Sequence, residues 1–161
     1  IITDDFFGII LADDLILSEP GCLKQLLEIH EKTQSSVLGV FSASENQVSN
    51  YGVISSKNID GVEKVDGIVE KPKPADAPSN LAVFGRYILS KDIFLNIEQT
   101  KPGFNNEIQL TDAIQDLISN EDVFALEFEG RRFDCGSKEG YISAIIDRAS
   151  SIDKFKSIIE K

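Results

Sequence analysis

Four short stretches carry side chains whose types and spacing could do chemistry. The first is Asp13-Asp14, which follows the apolar run Phe7 to Leu11 after a single alanine. Carboxylates at the carboxyl end of a sheet strand can hold a hard divalent cation against a phosphate. The same pair also reads as a turn or helix-start signal. The second is Tyr51-Gly52, where a glycine on a strand lets a ligand approach the backbone closely, or marks a bulge. The third is Glu70-Lys71 before Pro72. An acceptor beside a cation suits a ligand with hydroxyls and a phosphate, and is also what a solvated charge pair looks like. The fourth is Asp134-Cys135-Gly136, where the aspartate either joins Asp13 around a cation or forms a turn.

These residues need a scaffold. The Phe7–Leu11 run, closed by acidic residues, predicts a strand buried on both faces. Leu23, Leu26, Leu27 and His30 recur at helical spacing, which predicts an amphipathic helix over Gly21–Thr33. His30, the sole histidine, reads as a surface or boundary residue of that helix rather than a catalyst. Ser35–Ala43 is a second apolar strand. Strand, helix, strand in this order is a βαβ unit, so the two strands are expected to be parallel neighbours. Three further strands follow without helices between them: Asn50–Ser56, Val62–Pro72 and Asn80–Ser90. The proline-rich Lys71–Ser79 is the loop joining the last two. A helix capped by Ser90 and another preceded by Asn105 or Asn106 come next. Val123–Gly130 alternates as a strand, Arg131–Ser137 is a short strand or turn, and helices are expected from Lys138 and over Ile152–Ile159. The pattern is α/β with a mixed sheet, and residues 1–161 are expected to form one domain.

Composition narrows the class. With 161 residues and 42% hydrophobic side chains the chain can bury a real core. Its net charge of −11 argues against a non-specific nucleic-acid binder, which needs a basic face. A few local cations or a metal still serve phosphate ligands. Cys22 and Cys135 lack metal-site spacing and read as reduced thiols of a cytoplasmic protein. No apolar run is long enough to span a membrane, and no secretory signal opens the chain. There is no methionine, and the chain begins directly before a strand, as expected of a piece of a longer protein.

The order of the four stretches carries more than any one of them. LADDL, YGVI, VEKPKPADAPSNLAVFGRYILS, NEIQLTDAI and DCGSKEGY, taken in sequence, resemble the bacterial UTP–glucose-1-phosphate uridylyltransferases of the sugar-nucleotide nucleotidyltransferase family. The resemblance runs from about Phe7 to Arg148. The words around EKP, and DCG in place of a Trp-Leu-Asp-Thr-Gly type segment, favour this branch over those making dTDP- or ADP-sugars.

The resemblance implies a Rossmann-like mixed sheet and a reaction in which glucose 1-phosphate attacks the α-phosphorus of UTP. It implies Asp13 as the principal Mg2+ ligand, with Asp134 assisting. Gly52 and the main chain near Val83 would lie against the sugar, Glu70 would accept from its hydroxyls, and Lys71 would grip its phosphate. Members of the family commonly form dimers or tetramers, so a homo-oligomer is expected. The family's glycine-rich GxGTRxxP-type loop, which cradles the UTP phosphates, does not occur in this sequence. The chain therefore resembles the C-terminal portion, truncated at the N-terminus. It is expected to be inactive or nearly so alone, with an open sheet edge beside Phe7–Leu15 that favours self-association. Two other readings remain: a related enzyme using dTTP or ATP, and an assembly module whose interface is formed by the helices over Asn106–Asn120 and from Lys138 onward.

Overall fold

The computed structural model describes residues 2–159, so the outermost ends of the 1–161 expectation lie outside it. Its main sheet has six strands in the order β1-β6-β3-β7-β5-β4. In chain order these are β1 (Phe6–Ile10), β3 (Ser36–Ser42), β4 (Gly52–Ile59), β5 (Val62–Glu70), β6 (Leu81–Ser90) and β7 (Val123–Glu127). Two further strands, β2 (Asp14–Leu17) and β8 (Arg131–Asp134), form a separate antiparallel ribbon. The sheet is mixed: β3 and β7 are parallel, and the other pairings are antiparallel.

Helices cover both faces, because successive side chains of a strand point to opposite sides. On one face α1 (Cys22–Thr33) packs Cys22 and Leu26 against Val37, Phe84 and Ile88. On the other, Leu38, Val40, Ile54 and Leu89 meet Ile93 of α2 (Ile93–Gln99) and Ala113, Ile114 and Leu117 of α3 (Leu110–Ile118). Helix α4 (Lys138–Ser150) follows β8, and α5 (Asp153–Ile159) follows it. Among the described residues no helix is long and apolar enough to cross a membrane.

Several expectations change. The strands on either side of α1 are not neighbours. Both β1 and β3 are antiparallel to β6, which lies between them, so they point the same way with a strand intervening. Order along the chain could not reveal an insertion made by residues 81–90. The first strand is not buried on both faces either. It is the edge of the sheet, and Ile10 remains 57% exposed. The apolar run also breaks sooner than its composition suggests, since the chain turns at Ala12-Asp13 and residues from Asp14 join β8 instead. Ser90 is the last residue of β6 rather than a cap, and Asp92 precedes α2 without a side-chain capping bond. Asn105 and Asn106 sit at positive φ in a short turn, so α3 begins only at Leu110.

Strand β6 positions the site. Along one side it pairs with β3. On the other side it meets β1 at Arg86–Ser90 and β4 at Ala82. Val83, Phe84 and Gly85 fall in the gap between those two partners, and all three line the cleft that opens there.

Candidate active site

The cleft is about 410 Å³ and is bounded by the end of β1, the starts of β4 and α3, the end of β5, the middle of β6 and strand β8. It brings together Asp13, Gly52, Glu70, Lys71, Val83 and Asp134, the residues to which the resemblance gives a role.

Each is placed by local pairing. In the β4–β5 ladder Gly52 stands opposite Glu70, and the Lys71 N–H donates to the Tyr51 carbonyl at 3.0 Å. Lys71 adopts φ +45, which turns the chain out of β5. Its ammonium lies 3.4 Å from Glu70 Oε1. The other carboxylate oxygen, Oε2, accepts from Thr111 Oγ1 at 2.9 Å, so the first turn of α3 orients Glu70. Gly52 is no bulge; the irregularity in that ladder falls at Ser55/Ser56. It is a place where a side chain has no room. A Cβ there would lie 2.5 Å from Thr111 Cγ2 and 3.0 Å from Val83 Cγ2.

The aspartates are positioned by the β2–β8 ribbon. Asp14 stands opposite Asp134, and the Cys135 N–H donates to the Asp13 carbonyl at 2.7 Å. The carboxylates of Asp13 and Asp134 converge on Gly136, where a Cβ would be 3.3 Å from Asp13 Oδ2 and 3.2 Å from Asp134 Oδ1. The Gly136 N–H itself donates to Asp134 Oδ1 at 3.1 Å. Downstream, Ser137 caps α4 by accepting from the Gly140 N–H, and its hydroxyl donates to the Asp134 carbonyl. The helix start and the aspartate are thus one unit.

Asp14 has a different task. It is buried, its Oδ1 accepts from Arg132 Nε at 2.5 Å, and its carbonyl accepts from Arg86 Nη2 at 2.5 Å. Burial pushes its carboxyl pKa up, a larger effect than the lowering by Arg132. Arg132 is held above its ordinary range, because bonds to Tyr51 and Asp14 outweigh the desolvation that opposes its charge. Its guanidinium also lies 4.7 Å and 4.9 Å from the ring centroids of Phe41 and Tyr51, within cation–π range. Tyr87 lines the same cleft, and burial pushes its phenol up to about 12, so it stays protonated.

Sequence reasoning named Tyr51 only as a neighbour of Gly52 and missed Arg132, Arg86 and Thr111. Arg132 carried a signal: two residues before Asp134 on a strand, it shares that residue's face. Thr111 carried none, because its distance from Glu70 is set by how α3 packs. His30 stays outside the cleft, with its Nδ1 2.8 Å from the Ser35 carbonyl and its ring beside Phe6.

A family model for nucleotidyl transferases matches residues 1–151. The chain belongs to that family. It is 46% identical over 147 residues to a UTP–glucose-1-phosphate uridylyltransferase of Pseudomonas aeruginosa, an alignment covering 89% of this chain and 53% of that protein. The Bacillus subtilis enzyme of the same name is 42% identical over 149 residues, covering 92% of this chain and 51% of its own length. The crystal structure of a UDP-glucose pyrophosphorylase complexed with UDP-glucose superposes with a TM-score of 0.89 at 45% identity, over 94% of this chain and 59% of that one. The chain spans about half the length of the curated relatives it matches.

The donor set in this nucleotidyl transferase cleft suits Mg2+ in one specific way. Among the described residues, no group of three or more His, Cys, Asp or Glu side chains could hold a metal ion. Two carboxylates, Asp13 and Asp134, do converge. Mg2+ is commonly bound by one or two carboxylates, with waters and substrate phosphates completing its shell.

Proposed function

We propose that this cleft serves uridylyl transfer from UTP to glucose 1-phosphate, giving UDP-glucose and pyrophosphate. The observation that carries the proposal is the convergence of Asp13 and Asp134 with Glu70-Lys71 and Gly52 around one cavity. The names of the relatives described above support this choice of substrates. Residues 1–161 are read as one partial nucleotidyltransferase domain carrying the sugar-phosphate and metal side of the site.

The acceptor phosphate is already ionised at neutral pH, so its oxygen attacks without a general base. Catalysis of this kind consists of positioning and charge stabilisation. Glu70, steadied by Thr111, accepts hydrogen bonds from sugar hydroxyls. Lys71 contributes positive charge beside the sugar phosphate. Gly52 and the Val83 main chain form the wall against which the ring lies. Asp13 and Asp134 would hold Mg2+, which supplies charge neutralisation between the two phosphate groups when bound. Asp14, already engaged by Arg132, is left out of that role.

Two assays test the reading. A full-length protein carrying this sequence should release pyrophosphate with UTP and glucose 1-phosphate and prefer UTP over dTTP and ATP. A preference for dTTP or ATP would replace the nucleotide assignment. The isolated 161 residues, which lack the glycine-rich loop, should turn over far more slowly. Turnover comparable to a full-length relative would overturn the half-site reading.

Localisation and assembly belong to the same proposal. Cys22 and Cys135 are both free thiols, which supports a reducing, cytoplasmic setting. Ile142, Ile145 and Ile146 of α4 are at least half exposed, and β1 is a sheet edge, which together support a homo-oligomer.

A further inference from the structure

We infer that Tyr51 is a positioning residue that sets the Asp134 carboxylate, and that Arg132 holds Tyr51 in place for that purpose. The assignment rests on the reading of Asp13 and Asp134 as the cation ligands. Three hydrogen bonds in series connect these groups. Arg132 Nε donates to Asp14 Oδ1 at 2.5 Å, and Arg132 Nη1 donates to the Tyr51 hydroxyl at 3.2 Å. The Tyr51 hydroxyl in turn donates its one proton to Asp134 Oδ2 at 3.4 Å.

This series fixes the direction of the Tyr51 O–H. A hydroxyl can accept and donate at once, but guanidinium can only donate. With Arg132 on the oxygen lone pair, the Tyr51 proton must point away from Arg132, and Asp134 Oδ2 is the acceptor there. A cationic donor on the oxygen also polarises the O–H toward the carboxylate. Asp134 is thereby held at both oxygens, Oδ2 by Tyr51 and Oδ1 by the Gly136 N–H. A carboxylate fixed at two points presents its remaining lone pairs in one orientation, which is what a cation with a strict octahedral preference requires.

Charge supports the same assignment. Asp13, Asp14 and Asp134 would place three negative charges in one corner of the cleft. Arg132 offsets one of them through its ion pair with Asp14. The two that remain match the charge of one divalent cation. The aromatic surround serves this pairing too. Phe41 and Tyr51 meet edge to face with centroids 5.2 Å apart, and both lie within 5 Å of the guanidinium carbon. The Tyr51 ring therefore holds its place without the hydroxyl, so Tyr51→Phe removes the link to Asp134 and leaves the packing.

The test is Mn2+ binding to the chain, followed by loss of the free-ion electron paramagnetic resonance signal. Wild type, Tyr51→Phe and Asp134→Asn are compared, with thermal unfolding of each measured without metal. Tyr51→Phe should bind Mn2+ about tenfold more weakly, the low end for losing a partner that orients a metal ligand, as befits a bond of 3.4 Å. Its metal-free unfolding should match wild type. Arg132→Lys, which keeps the charge beside Asp14 but not the fork that reaches Tyr51, should weaken binding in the same direction. If Asp134→Asn weakens binding while Tyr51→Phe stays within about threefold of wild type, the positioning role is overturned and the cation site stands. If Asp134→Asn binds Mn2+ as wild type does, the cation reading itself falls and takes the Tyr51 assignment with it.

Discussion

Arg132 and Asp14 form an ion pair at 2.5 Å in which the two side chains are only 12% and 10% exposed. The pair divides two adjacent aspartates between two tasks, since Asp14 is committed to Arg132 while Asp13 faces the cleft. Removing one partner of a buried pair leaves the other charged and unmatched. Asp14→Ala should therefore lower the free energy of unfolding by about 3 kcal/mol. Asp13→Asn should leave stability within about 0.5 kcal/mol of wild type, as changes away from such pairs do. In a full-length protein the order reverses for activity, with Asp13→Asn nearly abolishing transfer. Urea unfolding of both variants beside a pyrophosphate-release assay checks the division. Equal effects of the two substitutions on stability would refute it.

Gly52 faces the side chains of Thr111 and Val83, and an added methyl would lie 2.5 Å from Thr111 Cγ2. Thr111 must then shift, and its bond to Glu70 shifts with it. Gly52→Ala should cost about 1–3 kcal/mol of stability, as overpacking in a filled core does. It should also raise the KM for glucose 1-phosphate more than that for UTP. Thermal unfolding and a two-substrate kinetic matrix measure both quantities.

Burial pushes the Cys22 thiol from 9.0 up to about 11. Between those values the unfolded chain has released the proton and the native chain retains it. The native state then binds more protons, so stability falls as pH rises through that window. The full loss is on the order of 3 kcal/mol. Cys22→Ala should flatten the alkaline limb of a stability–pH curve between pH 9 and 11. At pH 8 a thiol reagent should modify the half-buried Cys135 well before Cys22.

Ile142 and Ile146 lie one helical turn apart on α4 and are 56% and 50% exposed. Residues so spaced share a face, and an apolar face on a charged protein favours association. The chain should sediment as a concentration-dependent oligomer, and Ile146→Asp should shift it toward monomer. A wild-type chain that sediments only as monomer at high concentration would contradict this.

The elements themselves were legible from periodicity. The segments with a strong local pattern, such as residues 36–42, 81–90 and 138–150, formed where expected. What periodicity could not supply is which segments become neighbours. The insertion of β6 between β1 and β3 is set by pairings far apart in sequence, the nearest being Ser42 with Leu81, and no local pattern encodes it. The same distinction holds in the site. Gly52, Glu70 and Lys71 are weak signals singly and become legible through their order along the chain with the aspartates. Arg132 shares the face of Asp134 along β8, but its ion pair with Asp14 forms only when β2 pairs with β8, while Arg131 stays exposed. Thr111 is an ordinary helix residue until α3 docks.

That docking makes Thr111 a direct test of how Glu70 works. Its hydroxyl donates to Glu70 Oε2, while Lys71 lies 3.4 Å from Oε1, so the carboxylate is approached from both sides. Thr111→Val is nearly isosteric, and it removes the donor but keeps the methyl that packs against Gly52. A hydrogen bond to a charged group contributes about 1.5–3 kcal/mol, so losing it should weaken sugar-phosphate binding roughly tenfold or more. The hydroxyl acts on the orientation of Glu70 rather than on the reacting phosphates. The effect should therefore fall on the KM for glucose 1-phosphate, with kcat changed less than about threefold, as when uniform binding is lost. Steady-state kinetics on a full-length protein separate the two. A fall in kcat with an unchanged KM would mean that Thr111 acts on the transfer step, and the placement of Glu70 at the sugar would have to be abandoned.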